Sequence, residues 1–357
     1  MMALVYEGPS RRSWTEKPRP KLLRPTDALV RITHTTLCGT DLHILKGDVP
    51  TVDDGRTLGH EGVGVVEETG AGVAGFKPGD RVLISCISSC GRCGNCRKGM
   101  PSHCENGGGW ILGNTIDGTQ AEYVRIPFAD NSLYSLPAGA DPAAAVMLSD
   151  ILPTAFECGV LNGAIKPGDT VAVVGAGPIG LAALLCARLY SPSQLIAVDL
   201  DVNRLAVARE LGATHVVDSS DGRAVAKVMA LTAGRGVDVA IEAVGLPATF
   251  DICQETVTAG GHLANVGVHG KPVTLQLQKL WSQNLTLTTR LVDAVSTPLL
   301  LKSVISGRLP AAKLVTHTLP LSEAMRAYDL FGRAAREKAL KVLLVAESPP
   351  LRLGPPH

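Results

Sequence analysis

The strongest constraint on the fold is a strand-like run that leads into closely spaced glycines, TVAVVGAGPIG at residues 170–180. Gly175, Gly177 and Gly180 have the spacing G-x-G-x-x-G, and the helix-like segment PIGLAALLCARLY continues from them. Asp199 stands nineteen residues after Gly180, at the end of the next predicted strand. The glycine spacing alone is common, but in this context it is typical of a βαβ unit that binds a dinucleotide.

The same segment predicts which dinucleotide is bound. The glycines let the backbone approach a pyrophosphate at the helix N-terminus, where Pro178 and Ile179 lie. The Asp199 carboxylate can accept hydrogen bonds from the hydroxyls of an adenosine ribose, whereas a 2′-phosphate would meet like charge. We therefore expect NAD rather than NADP. The alternative is that these glycines serve packing and that Asp199 is a solvated surface residue.

The rest of the chain shows two different patterns of predicted secondary structure. From about residue 165, strand-like and helix-like segments alternate, which predicts an α/β fold with a doubly wound parallel sheet. Residues 1–150 carry short β-like runs separated by Gly and Pro, which predicts an irregular β domain. The length of 357 residues suits about two domains.

Five of the nine cysteines lie within residues 85–104, SCISSCGRCGNCRKGMPSHC. Four of them have the spacing Cys90-x2-Cys93-x2-Cys96-x7-Cys104, which suits a tetrahedral zinc with every position filled. An iron–sulfur cluster is the alternative, but the gap before Cys104 and the lack of a following proline depart from the usual ferredoxin pattern. Cys86 falls outside the spacing, and we interpret it as a small buried residue. A closed structural site leaves no position for a substrate.

A catalytic metal site would need scattered ligands of mixed type and a vacancy. LCGTDLH at residues 37–43 offers Cys38 and His43, LGHEGVG at 58–64 offers His60 and Glu61, and LSDILPT at 148–154 offers Asp150. Each residue alone has an ordinary explanation as a core or surface residue.

These motifs together resemble the zinc-dependent medium-chain alcohol dehydrogenases over essentially the whole chain. GHEGVGVVEETG is similar to that family's zinc signature, and the four-cysteine lobe and the glycine-rich segment follow in the family's order. The resemblance implies a GroES-like irregular β catalytic domain joined to a Rossmann domain, with two Zn²⁺ ions and NAD bound to each subunit.

The resemblance also implies roles for single residues. Cys38, His60 and Asp150 would hold the catalytic zinc, and the fourth position would accept water or substrate. Glu61 stands where the family has a glutamate that approaches the metal transiently, and Asp41 stands where a carboxylate supports the zinc-bound histidine.

Further roles concern the proton and the cofactor. Thr40 would take the alcohol proton, and the nicotinamide ribose and then His43 would pass it to solvent. Thr154 would pack behind the nicotinamide ring. Local turn chemistry is the alternative for Thr40 and His43.

The third zinc ligand separates members of the family. Many have cysteine where this chain has Asp150, and an aspartate there resembles the tetrameric bacterial secondary-alcohol dehydrogenases, in which the segment of Trp110 lines the substrate pocket. The best known of those prefer NADP and lack the four-cysteine lobe. LSDILPT also resembles glutathione-independent formaldehyde dehydrogenases and dismutases, but their extra insertions are missing here.

These features predict an NAD-dependent enzyme that interconverts small primary or secondary alcohols with aldehydes or ketones. An aldehyde dehydrogenase or dismutase is the alternative, and a zinc protein that binds nucleic acid is a third hypothesis. The net charge of +1, with Arg92, Arg97 and Lys98 as the only basic concentration in the lobe, argues against nucleic acid. Family members are commonly tetramers, so we expect a homo-oligomer.

The uncharged stretch 170–187 reaches the length of a membrane span, but its central glycines and proline favour a turn between strand and helix. The opening residues lack the apolar core of a signal peptide. Together with clustered, reduced cysteines, these features predict a cytoplasmic protein without membrane partners.

The predicted boundaries place the catalytic domain at 1–151 and 292–357, with a structural zinc lobe at 86–106, and the dinucleotide-binding domain at 152–291. Lys341, in KALKVLLV, is predicted either to reach the cofactor phosphates or to be a solvated surface lysine. The tail ESPPLRLGPPH is predicted to fray.

Overall fold

The computed structural model describes residues 1–347. The tail that is predicted to fray lies outside the described residues, apart from its first residue, Glu347. The last ten residues of the predicted catalytic domain, 348–357, lie outside them as well.

Strands and helices alternate along most of the described chain. The strands are β1 Met2–Tyr6, β2 Arg12–Glu16, β3 Ala28–Thr36, β4 Gly62–Thr69, β5 Arg81–Ile84, β6 Tyr123–Ile126, β7 Leu133–Ser135, β8 Thr170–Val174, β9 Gln194–Asp199, β10 His215–Asp218, β11 Val237–Glu242, β12 Val257–Asn265, β13 Thr286–Thr289, β14 Val315–Pro320 and β15 Lys341–Val345. The α-helices are α1 Gly39–Lys46, α2 Gly94–Arg97, α3 Ala129–Ser132, α4 Pro142–Ala145, α5 Ile151–Thr154, α6 Pro178–Ala187, α7 Val202–Glu210, α8 Ala224–Leu231, α9 Pro247–Thr256, α10 Leu277–Leu280, α11 Thr297–Ile305, α12 Ala324–Phe331 and α13 Ala334–Glu337.

Shorter helical turns complete these elements. The 3₁₀ turns are Pro101–His103, Val146–Leu148, Arg188–Tyr190, Ala311–Leu314 and Leu321–Glu323, and Ala155–Leu161 is π-helical. The π-helical segment follows α5 directly. Segments of this kind are frequent near functional sites.

The first large sheet is irregular and mostly antiparallel. Its strand order is β14-β15-β3-β4-β5-β7, and β6 also pairs with β3. Only the β14–β15 pair is parallel among the described strands of this sheet. The sheet therefore combines strands from residues 28–135 with strands from 315–345, as a GroES-like fold does.

The second large sheet is parallel throughout its described strands, in the order β10-β9-β8-β11-β12-β13. The chain leaves the central strand β8 in one direction to build β9 and β10, then returns to build β11 to β13 on the other side. This order is the doubly wound arrangement, so the predicted fold class is confirmed. The domain boundaries themselves stay a prediction.

The predicted strand, turn and helix at 170–187 are also confirmed, as β8 and α6. In the described part of the chain no single helix is long and apolar enough to cross a membrane. The helical segments 142–148 and 151–161, bent by 44° where they meet, reach that length and composition only as a pair.

One buried cluster contains residues of α5, of α6 and of both large sheets, including Val171 and Val173 of β8. Leu148 and Leu152, which flank Asp150, belong to the same buried cluster as Leu181 and Leu184 of α6. Val63 of β4 and Leu83 of β5 belong to this cluster too. The segment that carries Asp150 is thus fixed by packing from both sheets.

Candidate active site

The structure brings the four spaced cysteines together. The sulfur atoms of Cys90, Cys93, Cys96 and Cys104, here called the four-cysteine group, all lie within 4.8 Å of one another. Backbone N–H groups of Cys90, Cys96 and Glu105 point at sulfur atoms of the group, at 3.4–3.5 Å. Such donors stabilise thiolates, so the short loop itself prepares the group for a cation.

The pKa values of Cys90 and Cys93 fit that purpose, whereas burial and the neighbouring Cys93 thiol raise the pKa of Cys96 to about 12. Burial opposes ionisation of Cys90, but N–H groups of Arg92 and Cys93 and the Asn106 amide lower the pKa of its thiol to about 6. The Asn106 Nδ2 donates to Cys90 Sγ over 3.2 Å. Hydrogen bonds from the Cys96 and Glu105 N–H groups likewise lower the pKa of Cys93. Four cysteine sulfurs within 4.8 Å of one another match the donor set of a structural zinc.

The scattered residues also converge. One ligand atom from each of Cys38, His60, Glu61 and Asp150, here called the mixed group, lies within 4.8 Å of the other three. Cys38 precedes α1, His60 and Glu61 immediately precede β4, and Asp150 immediately precedes α5. The side chains therefore meet because the ends of three separate elements meet.

The electrostatics of the mixed group favour a positive charge. Asp150 Oδ2 lies 3.1 Å from His60 Nε2 and 3.9 Å from Cys38 Sγ. Burial favours the neutral ring of His60, but the Asp150 carboxylate and the Cys38 sulfur outweigh it and raise the pKa of His60. Burial opposes ionisation of Asp150, yet the neighbouring His60 lowers its pKa to about 2. A sulfur, an imidazole nitrogen and a carboxylate oxygen form a donor set that fits a divalent zinc ion.

The observed position of Lys341 contradicts both of the roles predicted for it. It is neither solvated nor free to contact a cofactor, because its side chain is 2% exposed and its Nζ donates to Glu61 Oε2 and to the Leu37 carbonyl. The pKa of Lys341 is raised, since the Glu61 carboxylate outweighs the cost of burial. Position 341 opens β15, whose pairing with β3 carries the lysine beneath the mixed group. The sequence offered no motif for this long-range contact.

Glu61 is held by one oxygen only. Oε2 accepts hydrogen bonds from the Thr36 hydroxyl and from Lys341, whereas Oε1 is buried and has no partner among the described residues. A buried carboxylate oxygen without a donor is costly unless a cation completes the site. This orphaned atom within the mixed group is a second observation that fits a metal.

Asp41 lies beneath the same site but does not bond the His60 ring in the described structure. Its Oδ2 accepts hydrogen bonds from the Cys38 N–H and from Gln120 Nε2, at 2.9 and 3.0 Å. Asp41 thus fixes the start of α1, which carries Cys38. Any support that Asp41 gives to His60 would therefore act through the position of Cys38 and through the negative charge of the Asp41 carboxylate.

The two residues of the predicted proton path lie on α1. Thr40 Oγ1 is 3.6 Å from Cys38 Sγ, next to the mixed group. His43 is less than half exposed, and its Nδ1 lies 2.9 Å from Asp48 Oδ2. One residue therefore faces the site and the other reaches the solvent.

Thr154 and Cys86 both contact the carboxylate of Asp150. The Thr154 hydroxyl donates to Oδ1, and Cys86 Sγ lies 3.8 Å from the same oxygen. Cys86 is buried, as predicted, but it lies beside the mixed group rather than apart from the chemistry. Trp110 packs against the apolar cluster that contains Cys86 and Ile87, and its ring meets His60 edge-on at 6.0 Å.

A segment outside every predicted motif completes the wall beside Asp150. Val292 and Ala294 pack against Cys86 and Ile87. The buried Glu157 holds this segment, because its carboxylate accepts hydrogen bonds from the N–H groups of residues 293, 294 and 296 at 2.8–3.2 Å. No spacing or motif marks Glu157, since all its partners are distant in sequence.

The glycine-rich turn has the geometry expected of a dinucleotide-binding loop. Gly175 has a φ of 103°, and a Cβ at Gly180 would lie 1.7 Å from the Gly175 carbonyl oxygen, so neither position tolerates a side chain. A Cβ at Gly177 would meet only the end of Arg204, at 3.8 Å, so the backbone there is open to approach. Pro178 and Ile179 begin α6 directly after it.

Asp199 lies at this turn, as predicted from its spacing. Its Oδ2 accepts the Ala176 N–H at 2.6 Å, and its Oδ1 accepts the Asp201 N–H at 2.8 Å. The carboxylate is thus fixed beside the open backbone of the glycine turn. Arg204, which belongs to no predicted motif, reaches the same turn, since its Nη1 would lie 3.8 Å from a Cβ at Gly177 and its Nε lies 4.0 Å from Asp201 Oδ2.

Two family patterns match the chain. Residues 24–138 match the pattern described as "Alcohol dehydrogenase GroES-like domain", and residues 178–299 match "Zinc-binding dehydrogenase". Together they include Cys38, His60, the four-cysteine group and most of the parallel sheet.

Relatives and solved structures agree with these matches. An alcohol dehydrogenase of Cupriavidus necator is 39% identical, with 96% of this chain and 98% of the relative covered. The NADP-dependent isopropanol dehydrogenase of Thermoanaerobacter brockii is 35% identical over 85% of this chain and 88% of its own. The structure of zinc-dependent alcohol dehydrogenase 2 from Streptococcus pneumonia, in its apo form, is 53% identical and has a TM-score of 0.94, with 98% of this chain and 99% of that chain covered.

Proposed function

The chain belongs to the zinc-dependent medium-chain alcohol dehydrogenases, and from that premise we propose that it oxidises small primary or secondary alcohols with NAD, reversibly. The observation that carries the proposal is the convergence of Cys38, His60 and Asp150 on one partly buried point. A three-ligand site of this kind keeps a position for substrate, whereas the four-cysteine group fills all its positions. We assign one catalytic and one structural Zn²⁺ to each chain.

A zinc ion at the mixed group would supply Lewis acidity, which lowers the pKa of an alcohol hydroxyl. The protein's own residues handle the proton. Thr40 Oγ1, next to Cys38, receives the alcohol proton while its own hydroxyl proton moves on, and the imidazole of His43, which reaches the solvent, delivers a proton to water.

The remaining side chains orient the substrate and exclude water. Trp110 and the apolar cluster around Cys86 and Ile87 form the wall of a pocket beside His60. Glu61 is held by Lys341 through Oε2, which leaves the buried Oε1 without a partner among the described residues. An apolar wall with a few polar groups suits small alcohols and the corresponding aldehydes or ketones.

For the cofactor we propose NAD, bound across Gly175, Gly177, Pro178, Ile179 and Gly180. NAD would supply the acceptor for the hydride that leaves the alcohol carbon. The fixed carboxylate of Asp199 supports NAD over NADP, because a 2′-phosphate there would meet a negative charge. Thr154 is proposed to pack against the nicotinamide ring.

The proposed assembly is a homo-oligomer, with a tetramer favoured. The outer edge of β13 pairs with no strand within residues 1–347, and the nearby Leu277 and Trp281 are strongly exposed. An open sheet edge with exposed apolar side chains is a surface that proteins normally cover. Free cysteines throughout the chain support a cytoplasmic location. Light scattering would report the mass of the particle.

The function is tested by a panel of primary and secondary alcohols, scored by the absorbance of the reduced cofactor with NAD or NADP. We expect alcohol-dependent reduction of NAD. The Asp199→Gly variant should bind NAD more weakly and discriminate less against NADP, while Asp221→Gly, an exposed acid on a nearby loop, should not. Unchanged cofactor preference in Asp199→Gly would contradict the assignment.

The alternative function, an aldehyde dismutase or formaldehyde dehydrogenase, is distinguished in the same assay. A dismutase would consume aldehyde without added NAD and would release alcohol and acid together. Activity with aldehydes alone, and none with alcohols, would favour that alternative.

A further inference from the structure

The two carboxylate oxygens of Asp150 have different surroundings. Oδ2 faces the mixed group, 3.1 Å from His60 Nε2 and 3.9 Å from Cys38 Sγ. Oδ1 faces away, where it accepts the Thr154 hydroxyl and lies 3.8 Å from Cys86 Sγ. One oxygen is therefore free for a cation, and the other is occupied by protein donors.

The backbone fixes this division. Thr154 lies one helical turn after Asp150, and its N–H bonds the Asp150 carbonyl at 2.8 Å, so both side chains project from the same face. On the other side, the Cys86 N–H bonds the Ser149 carbonyl at 3.0 Å and ties the end of β5 to the residue before Asp150. Two independent segments thus present a donor to the same oxygen.

We infer that Thr154 and Cys86 are positioning residues that make Asp150 bind the metal through Oδ2 alone. Carboxylates can bind a metal through one oxygen or both. If Oδ1 also turned inward, it would fill the position that substrate needs. The hydroxyl of Thr154 is the stronger donor and the thiol of Cys86 the weaker one. This inference rests on the proposed zinc at Cys38, His60 and Asp150.

The test compares Thr154→Val, which removes the hydroxyl and keeps the shape, with Thr154→Ser, which keeps the hydroxyl. Metal affinity at the mixed group is measured by competition with a chelator, on the full chain without added cofactor. We expect Thr154→Val to weaken the metal affinity by about 10- to 100-fold, the usual effect of losing a partner of a metal ligand. Thr154→Ser should stay near the wild type.

A second readout reports the coordination of the metal directly. In the cobalt-substituted protein, four-coordinate cobalt absorbs visible light more strongly than five-coordinate cobalt. After subtraction of the spectrum of Asp150→Ala, which retains only the four-cysteine group, the absorbance of Thr154→Val should be weaker than that of wild type and of Thr154→Ser. Cys86→Ala should shift the same spectrum in the same direction by a smaller amount.

The outcomes separate this inference from the function on which it rests. A wild-type chain that binds only one zinc would overturn the proposed catalytic site. Two zincs in the wild type, with the same affinity and the same cobalt spectrum in Thr154→Val, would overturn the positioning role alone. Equal changes in Thr154→Val and Thr154→Ser would also overturn it, because the hydroxyl would then be irrelevant. If Thr154→Val fails to retain the four-cysteine zinc, Thr154→Ala replaces it as the variant without a hydroxyl.

Discussion

The two metal groups of this protein are built in opposite ways. The four-cysteine group comes from residues 90–104, and backbone N–H groups of the same short loop stabilise its sulfurs. The mixed group comes from residues 38–150, and its members are placed by the ends of α1, β4 and α5. One group depends on a local loop and the other on the whole fold.

This difference between the two groups indicates which of them can take part in catalysis. Four equivalent thiolates satisfy zinc completely and contribute to stability. In the mixed group, Glu61 has one oxygen without a partner and one bonded to the buried ammonium group of Lys341, and the two oxygens of Asp150 have different partners. Such unequal surroundings destabilise a fold, and they are found where a substrate or a metal completes them.

The largest expected effect comes from Asp150→Ala. This change should remove the zinc of the mixed group and leave the other, so that the metal content falls from two zincs per chain to one. The value of kcat/KM should fall by about a thousandfold or more, because a metal Lewis acid stabilises the transition state by several kcal/mol. Elemental analysis and the alcohol assay measure the two effects.

Asp53→Ala, which removes an exposed aspartate, is the matched control and should change neither quantity. Two zincs in purified Asp150→Ala would refute the assignment of the mixed group.

Cys93→Ser should give the reciprocal result. The four-cysteine group should lose its zinc while the mixed group keeps its own. The free energy of unfolding should fall by about 4 kcal/mol or more, as expected when a structural metal is lost. Thermal unfolding, together with zinc analysis, measures this change. Loss of both metals at once would show that the two groups do not fold independently.

The sequence was sufficient to predict the four-cysteine group, because ligand spacing within one loop is a local property. It also predicted the parallel sheet and the glycine turn, whose signals are periodic or contiguous. For the mixed group, the separate motifs became a single hypothesis only through a family resemblance. Lys341 and Glu157 could not be predicted, since their partners are more than a hundred residues away and neither belongs to a motif.

Lys341→Met tests how much the buried pair of Lys341 and Glu61 contributes to the stability of the fold. The change leaves the carboxylate of Glu61 buried without its cation, and breaking a buried ion pair from one side costs about 3–5 kcal/mol. We expect the midpoint of chemical unfolding to fall accordingly. Lys302→Met, on the exposed side of α11, should be nearly neutral.

The double variant Glu61→Gln/Lys341→Met should recover part of the loss, because no uncompensated charge remains. Equal destabilisation by Lys341→Met and Lys302→Met would argue against the buried pair.

The smallest expected effect concerns the link between the two groups. Ser102 lies between Cys96 and Cys104, and its hydroxyl donates to Asp293 Oδ1 at 2.6 Å. The neighbouring Val292 and Ala294 form the wall beside Asp150, and Glu157 holds the same segment from the other side. The lobe of the four-cysteine group is therefore bonded to the wall of the mixed group.

Ser102→Ala removes that hydroxyl and should cost about 1.5 kcal/mol of stability, the usual contribution of a hydrogen bond to a charged group. Because the wall then loses one anchor, KM for the alcohol should rise several-fold while both zincs remain bound. Ser306→Ala removes an exposed hydroxyl of comparable size and should change stability by less than about 0.5 kcal/mol. An unchanged KM in Ser102→Ala would mean that the Ser102 hydroxyl does not position the wall, which Glu157 and the Ser102 N–H bond to Asp293 would then hold without it.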